Sequence, residues 1–341
     1  MEDAHLLICR LPRGGNWLSR AAWLAAAVTG LLACGDARPP AVDAIVAEPA
    51  ASSPPAAPSA TPRVVLIMKT LTNPFFVSME RGARRAQEEQ PVDLQVRTAT
   101  QETSIEQQIQ IVNEAVKSRA GAIVIAPGDS TRLVPALKAA QDAGVKIVNI
   151  DNRLSAEAMQ SAGMKPVPFI SVDNEKGAYE AARFLATKVS RPTQAAILEG
   201  IRSADNAQQR RAGAERGFQS HPQIKVVARE TANWKIDEAY LVTERLFKQH
   251  PRIGLLFCAN DMMAIGAIKY LQENGLKHVK VAGFDALEDV KPALRAGHLT
   301  VTVDQQADLQ GYLGVKTALS MLAGKTPDME IRVETRLVSA P

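Results

Sequence analysis

Apolar and polar positions alternate in blocks along most of this chain. Short runs rich in Val, Ile and Leu recur at residues 63–69, 92–99, 121–127, 145–151, 168–173, 194–200, 224–230, 253–260, 279–285 and 299–305. Several, such as RVVLIMK and GAIVIAP, are apolar at successive positions. Both pleat faces are then covered, as in parallel strands buried beneath helices. Helical periods lie between the runs. In SIEQQIQIVNEAVKSRA, the residues Ile105, Ile109, Val112 and Val116 recur at spacings of four, three and four and share one helix face. Repeated strand–helix units predict an α/β fold with doubly wound parallel sheets. Ten such strands beyond residue 62 suit two sheets better than one. The pattern pauses at 154–167, LSAEAMQSAGMKPV, where no long helix is convincing. We read this as the region before a crossover to a second lobe.

The N-terminus follows a different pattern. Arg10, Arg13 and Arg20 precede AAWLAAAVTGLLA, residues 21–33. That stretch is too short for the roughly 20 residues that span a bilayer as a helix, and it suits the apolar core of a secretory signal. It ends in LLAC, Leu31 to Cys34. Leucine three places before a cysteine, with a small residue directly before it, resembles a bacterial lipobox. The resemblance implies removal of residues 1–33 and a lipid anchor at Cys34; a plain signal peptide cut near Ala33 is the alternative. Residues 35–62 are rich in Pro, Ala and Ser and show no apolar period. Together with Cys34 they read as a semi-extended tether (34–62) holding a folded body above a membrane. Cys9 would leave with the signal, so Cys258, inside IGLLFCAN, is left without a disulfide partner and reads as a small buried apolar residue.

Composition narrows the function. The chain is 46% hydrophobic and 22% charged, as in soluble globular proteins. Its 40 basic and 36 acidic residues are interspersed, and only 4% are aromatic. With no basic run and few stacking platforms, nucleic acid is not an expected partner. No dinucleotide, P-loop, zincin or nucleophile-elbow motif is found. His221, His250, His278 and His298 are scattered. No enzyme activity, metal or cofactor is expected. A signal and a Pro-rich tether also occupy the place where a repressor of similar lobes would carry a helix-turn-helix.

Ligands of open parallel sheets bind outside the carboxyl ends of the strands. Those ends carry Lys69, Asn73, Phe75 and Phe76; Asp151, Asn152 and Arg153; a polar loop leading to Arg210; then Trp234, Asn260, Asp261, Asp285 and Gln305. Carboxylates, amides and guanidinium forks match a ligand dense in hydroxyls, and aromatic faces suit the C–H faces of a sugar ring. Blander readings stand beside this one. Asn73 before Pro74 fits an N-cap with proline at the first helical position. Asp151 and Asp285 also fit caps, and Asp261 fits one best. Phe75 and Phe76 fit core positions, Trp234 a surface packing residue and Gln305 a hinge residue without ligand contact.

TLTNPFF, FCANDMMAIGAI, VAGFDA and LTVTVDQQ, in this order and spacing, resemble the motifs of the type I periplasmic substrate-binding proteins, those of the ribose-binding kind above all. The resemblance covers the chain from Arg63 onward. It implies two Rossmann-like lobes, 63–172 with 306–333 and 173–305 with 334–341, joined by a three-strand hinge and closing on one ligand. It also implies contacts from Asn73, Phe75, Phe76, Asp151, Arg210, Trp234, Asn260, Asp285 and Gln305. One Phe and Trp234 would sandwich the sugar ring while the other Phe packs inward. Two positions depart from the ribose binders: Lys69 replaces a serine, and Asn152, with Arg153 next to it, replaces an arginine. Since the cation has moved, the expected ligand is a sugar or polyol, or a sugar acid paired with Lys69. The implied role is that of a monomeric solute receptor docking on the permease of an ABC importer; presentation of the closed form to a chemoreceptor or sensor kinase is the alternative.

Overall fold

A computed structural model describes residues 61–340. The expected signal segment, Cys34 and most of the tether lie outside the described residues.

The chain opens with β1 (Arg63–Met68), α1 (Pro74–Glu89), β2 (Asp93–Thr98), α2 (Ile105–Lys117), β3 (Ala122–Ile125), α3 (Val134–Asp142), β4 (Lys146–Ile150), α4 (Ala156–Ser161) and β5 (Phe169–Val172). It continues with α5 (Asn174–Ala186), β6 (Thr193–Glu199), α6 (Asp205–Gln219), β7 (Ile224–Thr231), α7 (Ile236–Gln249), β8 (Ile253–Cys258), α8 (Asp261–Glu273) and β9 (Lys280–Ala282). A 3-10 turn at Glu288–Val290 leads into α9 (Lys291–Arg295), followed by β10 (Val301–Asp304), α10 (Ala307–Leu322), β11 (Glu330–Val333) and β12 (Arg336–Ser339). Each of the ten apolar runs contains a strand. Where the sequence shows no long helix, α4 is only six residues.

These strands build two six-stranded sheets, ordered β11-β5-β4-β3-β1-β2 and β12-β10-β9-β8-β6-β7. All pairings are parallel except β10 with β12. The first sheet carries α1 and α10 on one face and α2 and α3 on the other. The second is covered by α5 and α6 and by α7 and α8. The central strands are buried on both faces, as β3 and β5 show throughout their length. Helices α1 and α10 approach closely because Gly311 has no side chain: a Cβ there would lie 2.0 Å from the Met79 carbonyl oxygen. Cys258 is buried and unpaired, and burial pushes its thiol pKa up.

The chain passes between the sheets after β5, after β10 and between β11 and β12. β11 and β12 were not among the ten runs. Each is a four-residue edge strand, half exposed, without the continuous apolar stretch of a central strand.

Candidate functional site between the two sheets

The carboxyl ends of both sheets converge on a small polar cavity. Its wall is formed by Lys69, Asn73, Phe75, Phe76, Glu102 and Asp151 from the first sheet's side and by Asn206, Arg210, Trp234, Asn260, Asp285 and Gln305 from the second.

On the first side, Lys69 Nζ lies 2.8 Å from Asp151 Oδ2, with each side chain only 3% exposed. Asn73 does two things. Its Oδ1 accepts from the Phe75 N–H at 3.0 Å and caps α1, while its Nδ2 donates to Glu102 Oε1 at 2.9 Å. Capping and site membership therefore coexist. Phe75 and Phe76 meet edge to face, ring centres 5.1 Å apart. Both line the cavity, and Phe76, only 1% exposed, is also part of the buried core. The first turn of α1 ends against the cavity, so residues about 100° apart both touch it.

On the second side, Arg210 is fixed from three directions. Its Nε donates to Asn174 Oδ1 at 2.9 Å, Nη1 to the Ala259 carbonyl at 2.9 Å and Nη2 to Gln305 Oε1 at 3.0 Å. Asp285 Oδ1 lies 3.6 Å from Nη1 and accepts from Gln305 Nε2. Asn260 caps α8 through the Met263 N–H. Asp261 is thus not the cap; it is the first residue of the helix. Neither Asp151 nor Asp285 caps a helix, because Ser155 caps α4 and the 3-10 turn has no side-chain cap. Trp234 is buried rather than on the surface, and its ring lies over Gly200, where a Cβ would fall 2.0 Å from Cζ2.

The backbone around the cavity is strained. Asp151 (φ 63°), Trp234 (φ 68°) and Asp285 (φ 120°) all have positive φ, and so do Asn233, Ala286 and Gln306, which adjoin Trp234, Asp285 and Gln305. Non-glycine residues adopt such angles only where surrounding contacts over-determine them, and they cluster at functional sites.

Two cations, Lys69 and Arg210, face three carboxylates, Glu102, Asp151 and Asp285. Glu102 keeps part of its residue surface exposed, yet its carboxyl sits deep enough that burial pushes its pKa up, against the pull of Lys69 and the Asn73 hydrogen bond. Burial pushes Asp285 well above the usual carboxylate range, with Arg210 opposing. Burial likewise lowers Arg210, while Asp285 and Asp151 raise it. Three polar atoms in this wall lack a hydrogen-bond partner among the described residues: Asp151 Oδ2, Asn206 Oδ1 and Trp234 Nε1. Asp151 Oδ2 has the charge of Lys69 beside it but no aligned hydrogen bond. An acceptor, Asn206 Oδ1, and a donor, Trp234 Nε1, are thus left unpaired in the wall.

Two expected residues stand outside the wall. Asn152 is buried behind it. Its Nδ2 donates to the Pro127 carbonyl at 3.0 Å and to Ser130 Oγ at 3.2 Å, and its Oδ1 accepts from the Asn206 N–H at 3.1 Å. Arg153 turns outward, pairs with Glu330 at 2.6 Å and stacks on Phe169. The sequence reading missed two wall residues. Glu102 lies four residues beyond the end of β2. Asn206 precedes Arg210 by four residues, one helical turn, on the same face of α6.

The lobes meet beside this cavity. The Asp205 N–H donates to Ser130 Oγ at 3.0 Å, and the Ser130 N–H donates to the Ser203 carbonyl at 3.2 Å. With the Asn206–Asn152 bond, these contacts hold the two sides together.

The family profile described as periplasmic binding protein domain matches residues 64–326. The D-ribose/D-allose-binding protein of Pseudomonas aeruginosa is 38% identical over 287 residues, covering 82% of this chain and 89% of its own length. A solute-binding protein of an ABC transporter from Burkholderia multivorans superposes with a TM-score of 0.79 at 37% identity, covering 82% of this chain and 99% of that one. A periplasmic solute-binding protein from Actinobacillus succinogenes, crystallised with bound D-allose, superposes with a TM-score of 0.77 at 35% identity over 82% and 98% of the two chains. These are solute-binding proteins, not members of an enzyme class. Two doubly wound lobes, a cavity at their facing strand ends and a profile match over most of the chain place it in the periplasmic binding protein family, type I, on the ribose-binding-protein-like branch.

Proposed function

We propose that this chain is the extracytoplasmic receptor of an ABC-type sugar importer, closing its two lobes on one neutral monosaccharide. The observation that carries the reading is a pair of buried atoms in the cavity wall without a partner, the acceptor Asn206 Oδ1 and the donor Trp234 Nε1, beside the Lys69–Asp151 ion pair. An unpaired buried polar group costs about 1–3 kcal/mol, and hydroxyls, which both donate and accept, are suited to satisfy an acceptor and a donor together. Relatives that bind D-ribose or D-allose support an aldose of that kind.

Charge favours a neutral sugar over a sugar acid. Lys69 is already engaged by Asp151 at 2.8 Å, and a ligand carboxylate would meet three others. Phe75, Phe76 and Trp234 supply apolar faces for the ring, and Arg210 and Asp285 fixed hydrogen-bonding groups. The lobes are 63–172 with 306–333 and 173–305 with 334–341, hinged where the chain crosses between the sheets. Ligand bridging both walls stabilises the closed form by its differential affinity for that form, and the closed monomer docks on a membrane permease. The lipobox-like LLAC supports anchoring through Cys34; a Cys34→Ser chain should leave the membrane fraction and lose label from radioactive palmitate, and retention of both would reject the anchor.

The test of the binding role is the melting temperature of residues 36–341 against pentoses, hexoses, polyols, inositols and sugar acids. A ligand at about a thousand times its Kd stabilises the folded state by roughly 4 kcal/mol, a shift of several degrees. A shift with D-allose or D-ribose, and none with sugar acids, is expected. No shift with any member would reject the sugar reading.

A further inference from the structure

Asp261 is fully buried and is not part of the cavity wall. Its carboxylate is nonetheless tied to the segment that carries Asp285. Oδ2 accepts from the Leu287 N–H at 2.9 Å, and Oδ1 accepts from Thr302 Oγ1 at 2.8 Å. The Asp261 N–H donates to the Phe284 carbonyl at 2.7 Å. Thr302 Oγ1 in turn accepts from the Ala286 N–H at 3.2 Å. Residues 284–287 are thus held at both ends and in the middle.

Inside that segment Asp285 has φ 120° and Ala286 φ 52°. Side-chain-bearing residues rarely adopt such angles, and they persist only under external restraint. The restraint is itself unfavourable in isolation. A carboxylate without a cation is expensive to bury, and burial raises Asp261 to about 7 despite the bonds from Leu287 and Thr302. The carboxylate packs directly against Gly283, where a Cβ would fall 2.1 Å from Oδ1.

We propose that Asp261 is a positioning residue for ligand recognition: its carboxylate, with Thr302, fixes the strained Asp285–Ala286 turn and so aims the Asp285 carboxylate into the cavity. The consequence for binding rests on the sugar-receptor reading; the geometric part does not.

The experiment uses Asp261→Asn, which keeps one acceptor oxygen, Thr302→Val, which removes the hydroxyl at nearly constant shape, and Thr302→Ser, which restores it. D-allose and D-ribose are the probes in calorimetric titration, each variant also made in an Asp285→Asn background. Asp261→Asn and Thr302→Val should each weaken binding by about 10- to 100-fold, with Thr302→Ser recovering to within about threefold of the parent. In the Asp285→Asn background the same changes should add less than about threefold, because their effect runs through Asp285. Full additivity there, or binding unchanged by Thr302→Val, overturns the proposal. Should neither sugar bind the parent chain, the receptor reading falls on its own, and amide hydrogen exchange at Ala286 and Leu287 decides the positioning role. Faster exchange in Thr302→Val, reversed in Thr302→Ser, supports it; unchanged exchange overturns it. Thr302→Val carries the test if Asp261→Asn does not fold.

Discussion

The indole of Trp234 fills the space that a side chain at Gly200 would need, since a Cβ there would fall 2.0 Å from Cζ2 and 2.2 Å from Cε2. Gly200 follows β6 and Trp234 follows β7, the neighbouring parallel strand. The pair therefore sets how far the ring reaches into the cavity. The indole is rigid and its backbone is already at φ 68°, so it has little room to yield. Gly200→Ala should lower the unfolding free energy by about 1–3 kcal/mol through overpacking. It should also weaken sugar binding by about tenfold or more, because the ring and its unpartnered Nε1 would be displaced. Urea denaturation and titration with D-allose measure the two effects. Unchanged affinity would mean that Trp234 is a packing residue alone.

Lys69 and Asp151 form an ion pair with both side chains almost fully buried. Removing one member leaves an uncompensated buried charge, which typically costs about 3–5 kcal/mol, whereas replacing both with apolar residues is often neutral. Lys69→Met should therefore destabilise the sugar-free protein by about that amount, and adding Asp151→Leu should restore most of it, while binding stays impaired in both variants. Denaturant midpoints of the single and double variants check this. A loss below about 1 kcal/mol for Lys69→Met would show that the pair is not an obligatory structural unit.

Most of this wall was legible because ligand groups follow the carboxyl ends of parallel strands, and strand ends are visible as the places where apolar runs stop. Lys69, Asp151, Asn260, Asp285 and Gln305 all follow such runs. The end of β2 leads in the same way to Glu102. Asn206 needed helical period rather than strand ends. Asn152 and Arg153 could not be sorted by sequence because three consecutive polar residues follow one strand. The φ of 63° at Asp151 turns the chain there, leaving Asp151 on the wall, Asn152 behind it and Arg153 outside. The ten other strands were legible from their apolar runs, while β11 and β12, edge strands with mostly exposed or half-buried residues, carry too few apolar residues to stand out.

Stability should depend on pH through Asp261. Its pKa is raised from 3.8 to about 7, first by burial. Between these values the folded state holds a proton that the unfolded chain has released. Where the native state binds more protons, stability falls as pH rises. The contribution is present in full below about pH 4 and is lost as pH climbs through about 7. Asp285 and Glu102, also raised by burial, act in the same direction. Relative to Asp261→Asn, the parent chain should lose a few kcal/mol of stability between about pH 4 and pH 7 and change little above. Denaturant midpoints of both chains at four pH values would test it, and a constant gap between them would reject the assignment.

On the proposed closing of the lobes, Asn152 serves closure rather than recognition. Asn152 does not reach the cavity, yet its Oδ1 accepts from the Asn206 N–H at 3.1 Å and its Nδ2 supports Ser130, whose Oγ accepts from the Asp205 N–H at 3.0 Å. These bonds join the two lobes and exist only when the lobes meet. Asn152→Ala should destabilise the closed form by about 1–2 kcal/mol, and the apparent Kd should rise by the fall in closed population, about 5- to 30-fold. Because the open–closed equilibrium is common to every ligand, the factor should be the same for D-allose and D-ribose. A variant of a wall residue such as Glu102→Ala should instead change their ratio. Titration of both sugars into both variants separates the two roles, and unequal factors for Asn152→Ala would return that residue to the ligand-contacting set.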